Sequence, residues 1–310
     1  VYQYADGTNT NAASYITGSK STDKEVYLGA TIEANVIFPH KAPFGHPAWY
    51  PTPFTDASVF GMHTVPSTGT SSASPTYVWP AEDSANFQVI AVRDEVDSKD
   101  VSFKLTSSSP YPIPELTSSL YYDVYNDENW HFAVSIKPSK YPLAGRVDGA
   151  ISASEFSYEL EFRGYNNSLD YIKNSFLLTA SLSHQVGKNF LTSSKRIYAG
   201  AHRKDFTGLT QQSTDIAVNS ISYWAKYIEE DSIKTHARDM ESYGALRPYK
   251  SAILHSGSKV NIPEIDTLAL HWNFSDITGS DSSGNFDVAD FSSGSLAMLS
   301  GSGRLDWLSK

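Results

Sequence analysis

Between Val26 and Phe38 every even-numbered residue is small or apolar (Val26, Leu28, Ala30, Ile32, Ala34, Val36, Phe38), while Tyr27, Thr31, Glu33 and Asn35 hold odd positions. A period of two is the mark of a strand with one face on a core. The alternation returns at Phe87, Val89 and Ala91 and at Val101, Phe103 and Leu105, with the acidic turn RDEVDSKD between them. It returns again at Leu120, Tyr122 and Val124, then across the turn NDEN at Trp130, Phe132, Val134 and Ile136. Two further strands are predicted from Phe156 to Phe162 and from Phe176 to Leu182, separated by RGYNNSLDYIKN. Many short strands punctuated by Ser, Thr, Gly and Pro predict an all-β antiparallel sandwich.

The densest stretch is Lys195 to Gly244. Ile197 and Ala199 alternate with Tyr198, and Ile216 and Val218 alternate with Asp215, Ala217 and Asn219. At Asn219 the apolar phase shifts to Ile221, Tyr223 and Trp224, as a bulge or strand end produces. From Asp231 the period changes: Ile233, His236, Ala237 and Met240 fall at i, i+3, i+4 and i+7, one stripe of a helix. Asp231 or Glu230 is the expected N-cap and Gly244 the expected C-terminal stop. This is expected to be the only helix longer than two turns and to lie across a sheet edge or loop face.

Composition excludes several classes of function. The net charge of −10 over 310 residues, with no run of Lys or Arg, repels phosphate backbones and anionic membranes, so neither nucleic acid nor membrane is an expected partner. No cysteine means no disulfide, no thiolate metal site and no cysteine nucleophile. No apolar stretch approaches the 18 or so residues that a spanning helix needs.

The run IYAGAHR (197–203), the second strand, Trp224, the acidic helix start and HARDMESYG (236–244) together resemble the C-terminal part of laminin-G-like domains. These belong to the concanavalin A-like lectin/glucanase superfamily. ASVFGMH (57–63) and NWHFAVSI (129–136) are similar to that family's early strand and its Trp-His strand. The resemblance spans residues 25–255 and implies a jelly-roll sandwich with one short helix near its C-terminal part. Residues 1–24, rich in Asn, Thr and Ser, are then a lead-in segment. Residues 256–310 are a linker and the start of a second β domain, because LALHWNF, the turn TGSDSSGN and FDVADFSSGS are similar to the opening of another such domain. The alternative for this last segment is that it adds outer strands to the first sandwich. A start at Val1 and an end in LDWLSK are expected of a piece of a longer polypeptide.

Candidate binding residues fall in two groups. The first is aromatic. The loop PHKAPFGHPAWYPTPF (39–54) carries five prolines, which forbid a ladder, and offers Trp49 and Tyr50; residues 64–86 form a second long loop with Trp79. Such rings either stack on a sugar face or pack on their own loop and the sandwich edge. The second group is acidic. In SEFSYELEF, alternation puts Glu155, Glu159 and Glu161 on the face opposite Phe156, Tyr158, Leu160 and Phe162. Paired carboxylates are what a retaining glycosidase needs at about 5 Å, and strand neighbours two apart are separated by about 7 Å. Some glucanases of the resembled superfamily carry a tight Glu, Asp, Glu order on one strand, and this sequence has no such Asp. The alternative is a solvated acidic face.

No catalytic residue is assigned. There is no HExxH or HxH set among the nine histidines, no GxSxG elbow and no Gly-rich phosphate loop. His236 and Asp239, at i and i+3, have the spacing to share a cation, but a His beside the apolar stripe reads as a core-edge residue bonded to backbone. Laminin-G-like domains often bind calcium at the sandwich rim; Asp276, Asp281 and Asp287 are spaced like turn residues, and no cofactor or metal is expected from them. With an acidic Ser/Thr-rich surface and no cysteine, the resemblance implies a non-catalytic structural or adhesion module of a phage virion protein. Its partners are neighbouring virion proteins, copies of itself or surface glycans, and its place is the virion or the extracellular space. The alternative is a glycan-binding lectin module or a glucanase-like glycoside hydrolase with Trp49, Tyr50, Trp79 and the Glu155 to Glu161 row as its site.

Overall fold

The computed structural model describes residues 29–40, 54–64, 85–108, 112–139, 157–168, 171–192, 195–203, 210–239, 268–274, 288 and 290. In chain order the elements are β1 (Ala30–Phe38), β2 (Asp56–Thr64), β3 (Ala85–Val92), β4 (Ser102–Thr106), β5 (Leu116–Thr117), β6 (Glu128–Pro138), β7 (Tyr158–Ser168) and β8 (Tyr171–Leu182). There follow α1 (His184–Thr192), β9 (Lys195–Ala199), β10 (His202–Arg203), β11 (Thr210–Gln212), β12 (Ala217–Trp224), α2 (Glu230–Arg238) and β13 (Leu268–Asn273). A six-stranded sheet runs β13-β12-β1-β6-β7-β8 and a five-stranded sheet runs β5-β4-β3-β2-β9. Every neighbouring pair is antiparallel. The protein is an all-β sandwich of two antiparallel sheets.

The core lies where the predicted inward parities meet. Ile32, Ala34, Val36 and Phe38 from β1, Trp130, Phe132, Val134 and Ile136 from β6, and Tyr158, Leu160 and Phe162 from β7 face Phe60, Phe87, Val89, Phe103 and Leu105 of the other sheet. Phe103 is the hub, with ring centroids 4.6 Å from Trp130, 4.7 Å from Phe132 and 5.8 Å from Phe38. Edge-to-face and tilted pairs of this kind add attraction beyond the area they bury. The shift at Asn219 is a bulge: Asn35 pairs with Ser220 and Val36 with Val218, so Asn219 is the extra residue.

Several expectations are corrected. No strand forms over 120–124. Leu120 and Tyr122 are 39 % and 75 % exposed, and Tyr121 turns to the core through a bridge to Val101. Asp123, at φ 53, sits in the left-handed region, where a strand cannot continue. RGYNNS does not separate strands but continues β7, and β8 begins at Tyr171.

The helix prediction also changes. The stripe Ile233, His236 and Ala237 is buried as expected, but α2 has nine residues, is preceded by Glu229 without a side-chain cap bond, and ends at Arg238. Met240 and Gly244 lie outside the described residues. A second helix of nine residues, α1, is present as well. Its Phe190 stacks on Phe87 at 5.9 Å, and a Cβ at Gly187 would collide with the ring of Tyr158, which is why a poor helix former sits mid-helix. Nor does α2 lie across an edge. It packs on the outer face of the six-stranded sheet, where Ile228, Ile233 and Ala237 form a second apolar cluster with Ala133, Tyr165, Trp224 and Leu268. Both faces of β1 are therefore buried. Leu268–Asn273 pairs with β12 as the edge strand of the same sheet, so this part of 256–310 adds to the sandwich.

Candidate functional site

The outer face of the six-stranded sheet gathers most of the buried ionisable groups. The register alone brings them together: Glu33 lies opposite Ser222 on one side and Ala133 on the other, Ser222 opposite His271, and Asn35 opposite His131. α2 then lowers His236 onto Glu33. Glu33 is 2 % exposed and accepts a bond from Trp224 Nε1 at 2.7 Å. His236 Nδ1 lies 3.1 and 3.0 Å from its two oxygens, and His131 Nε2 stands 3.6 Å from Oε1. The Trp224 and His236 rings are stacked, 5.1 Å apart and 8° from parallel. Beside them Ser222 Oγ and His271 Nδ1 are 2.8 Å apart.

Burial by itself would push the Glu33 carboxyl up, but the charge of His236, its hydrogen bond and the nearby His131 imidazole override it and hold the group well below the usual carboxylate range. His271 goes the other way. Burial lowers it to about 4, with Glu33 opposing and His236 reinforcing, so it stays neutral near neutrality. A carboxylate that fixes an imidazole is the arrangement from which acid-base chemistry is built.

A second network continues along β6 and β7. Glu161, 3 % exposed, accepts Lys137 Nζ at 2.6 Å, Arg163 Nη2 at 3.0 Å and Tyr227 OH at 2.9 Å. Arg163 reaches Glu230 of α2 at 3.2 Å, and Glu230 pairs with Lys234 one turn on. Burial opposes the charge on Glu161, but Lys137 first, then Arg163 and Tyr227, keep its carboxyl depressed. Burial raises the Tyr227 phenol, and adjacent Glu161 raises it further.

Of the residues singled out from sequence, Glu159 and Glu161 do share the outer face, pairing with Lys137 and Ser135. They differ in setting. Glu159 keeps a side chain 37 % exposed, whereas Glu161 is ion-paired and buried, so of these two the alternative of a solvated acidic face fits Glu159 and not Glu161. Trp49, Tyr50, Trp79 and Glu155 lie outside the described residues, as do Asp276, Asp281 and Asp287. The residues that sequence reasoning missed are Glu33, His131 and His271, which are single residues on three separate strands. The only signal was that Glu33, Asn35 and His131 all fall on the non-core parity. His236 was expected at a core edge, and it does lie buried on the helix stripe.

The same face holds polar atoms with no hydrogen-bond partner among the described residues: Asn35 Nδ2, Asn129 Oδ1, both ring nitrogens of His131, Ser135 Oγ and Asn167 Oδ1. Buried polar groups are almost always paired, so such a concentration asks for a ligand or solvent partner. For a metal the face is less suited. Among the described residues no group of three or more His, Asp or Glu could hold an ion. The other close histidine pair, His63 and His202 with Nε2 atoms 2.7 Å apart, is a ring-to-ring hydrogen bond on the opposite sheet.

No family model matches the sequence, and no curated protein is significantly similar to it. Solved structures do match. The enzymatically active domain of tailspike protein 2 of bacteriophage CBA120 aligns at TM-score 0.36 and 13 % identity over 68 % of this chain and 24 % of that one. An alginate lyase of Pseudomonas aeruginosa aligns at TM-score 0.30 and 9 % identity over 63 % of this chain and 64 % of that one. The CBM2 module of the evolved Dit protein of Lactobacillus casei phage J-1 aligns at TM-score 0.30 and 9 % identity over 66 % of this chain and 64 % of that one. The match thus spans about a quarter of the tailspike chain. Among the described residues no helix is long and apolar enough to cross a membrane.

The expectation that the chain is not an enzyme is corrected. Two of these three structures are named for catalytic activity. The spacing of Glu159 and Glu161 and the missing catalytic motifs do not bear on Glu33, the carboxylate that meets imidazoles. The expectation is withdrawn, and similarity at these TM-scores assigns no activity in its place.

Proposed function

We propose that the chain is a glycan-contacting sandwich module of a phage virion protein, of the laminin-G-like, concanavalin A-like kind. The sugar reaches the outer face of the six-stranded sheet by parting the cover, α2 included, that buries Asn35, His131 and Ser135. The observation that carries this reading is the row of buried polar atoms without a hydrogen-bond partner among the described residues at Asn35, Asn129, Ser135 and Asn167, beside His131 and the ionised Glu33 and Glu161. A polyhydroxylated ligand is what such a row satisfies, since each sugar hydroxyl both donates and accepts. Entry is from the end where Glu159 and Lys137 meet solvent. Trp49, Tyr50 and Trp79 are proposed as stacking platforms and Glu155 as a further acceptor. Neighbouring virion proteins or copies of the chain complete the setting.

The test is to run the 310-residue chain in affinity electrophoresis against bacterial surface polysaccharides, β-glucans and algal polysaccharides, and to assay each for new chain ends. Retardation by one class, weakened at least tenfold by Asn35→Ala or Ser135→Ala without loss of melting temperature, is the expected result. New chain ends that disappear in His131→Ala would extend the reading to catalysis. No retardation by any polysaccharide would overturn it.

A further inference from the structure

We infer that β8 is a pairing edge that joins two copies of this chain through an antiparallel strand-to-strand contact. Four strands close the two sheets. β5 has two residues and β9 has five, too short to template much. β13 is followed by a bridge from Trp272 to Asp290, whose carboxylate accepts the His271 amide at 3.0 Å. β8 has twelve residues and is the longest strand in the protein's described part.

Folded proteins blunt a long edge with proline, charge or a bulge. β8 uses these only at its start. Its pairing with β7 skips Lys173, which is the bulged residue, and Lys173 Nζ is tied to Glu128 at 2.6 Å. From Asn174 to Leu182 there is no charge, no proline and no further register shift. Exposed and half-buried residues alternate without a break to Ser181, and Leu177 is 47 % exposed.

Which backbone groups face outward follows from one bond. Tyr121 OH donates to Ser175 O at 3.2 Å from outside the β7–β8 ladder. Outward groups alternate along a strand, so the N–H and C=O of Leu177, Thr179 and Ser181 also point away from β7. Among the described residues no strand pairs with them. A twofold beside Thr179 sets Thr179 against Thr179, Leu177 against Ser181 and Leu178 against Ala180. No like charges meet, and the Tyr121 bond is left intact. A second copy is the natural occupant. In a chain of net charge −10 this is a neutral, self-complementary stretch, and an isologous contact needs no other surface.

The test is sedimentation velocity of the whole chain and of two variants across a concentration series. Thr179→Pro deletes an outward donor without touching the β7 ladder, and Thr179→Lys sets like charges face to face. A dimer in the parent that both variants convert to monomer, with circular dichroism and melting temperature unchanged, is expected. A parent that stays monomeric at the highest concentration reached would overturn the proposal, and so would a dimer that persists in both folded variants.

Discussion

Trp224 donates its indole proton to Glu33 across neighbouring strands at 2.7 Å, and both side chains are almost wholly buried on the face of the sheet turned away from the main core. A buried carboxylate is costly unless it is paired and bonded. Here Trp224 and His236 meet that cost from two different elements, so the bond ties β12, β1 and α2 into one unit.

Glu33→Gln keeps an acceptor for Trp224 but removes the negative charge that faces two imidazoles. Breaking a buried ion pair from one side costs about 3 kcal/mol or more. Guanidinium denaturation should show that loss, and an unchanged midpoint would mean that the histidines do not need the charge.

Stability should fall with acid in a defined window. His271 is lowered from 6.5 unfolded to about 4 folded, so its contribution is complete above pH 6.5 and is lost as pH falls to 4. At 1.36 kcal/mol per unit this amounts to about 3 kcal/mol. Glu33 is also depressed, so its share survives to lower pH and fails only below the ordinary carboxylate range. Chemical denaturation at stepped pH in the parent and in His271→Gln checks this, because the variant should flatten the curve between 6.5 and 4.

Ile233 is fully buried under α2. Ile233→Ala should cost about 2 to 4 kcal/mol by lost burial and cavity formation. Hydrogen exchange should accelerate in 230–238 before it does in β6 or β7. A melting temperature equal to the parent's would contradict this placement of the helix.

Gly29 admits no side chain. A Cβ there would meet Tyr227 N at 2.8 Å and Ile136 O at 2.9 Å, both of them backbone atoms that cannot rotate away. Gly29→Ala should destabilise by about 1 to 3 kcal/mol, measurable as a lower thermal midpoint. Wild-type stability would show that the segment entering β1 can shift.

The sandwich was legible because each strand's apolar parity is a local property: Ile32 to Phe38, Trp130 to Ile136 and Tyr158 to Phe162 can each be read within one segment. The bulge at Asn219 was legible for the same reason. The outer face was not. An odd-numbered polar residue such as Glu33 looks solvent-facing until a helix from two hundred residues later covers it, and nothing in the sequence says that His131, His236 and His271 converge there. α1 escaped notice because Gly187 breaks its helix-forming run, and its reason is tertiary, the close approach of Tyr158. The Leu120 to Val124 alternation misled because parity alone does not register that Asp123 turns the chain out of extended geometry.

The most direct test of the central claim is hydrogen-deuterium exchange of the chain with and without the polysaccharide that retards it most. The account predicts slowed exchange in 31–35, 131–137 and 159–165, the strands that present Asn35, His131, Ser135 and Glu161. Slowing confined to segments outside these strands, with 31–35 and 131–137 unchanged at saturating polysaccharide, would contradict it.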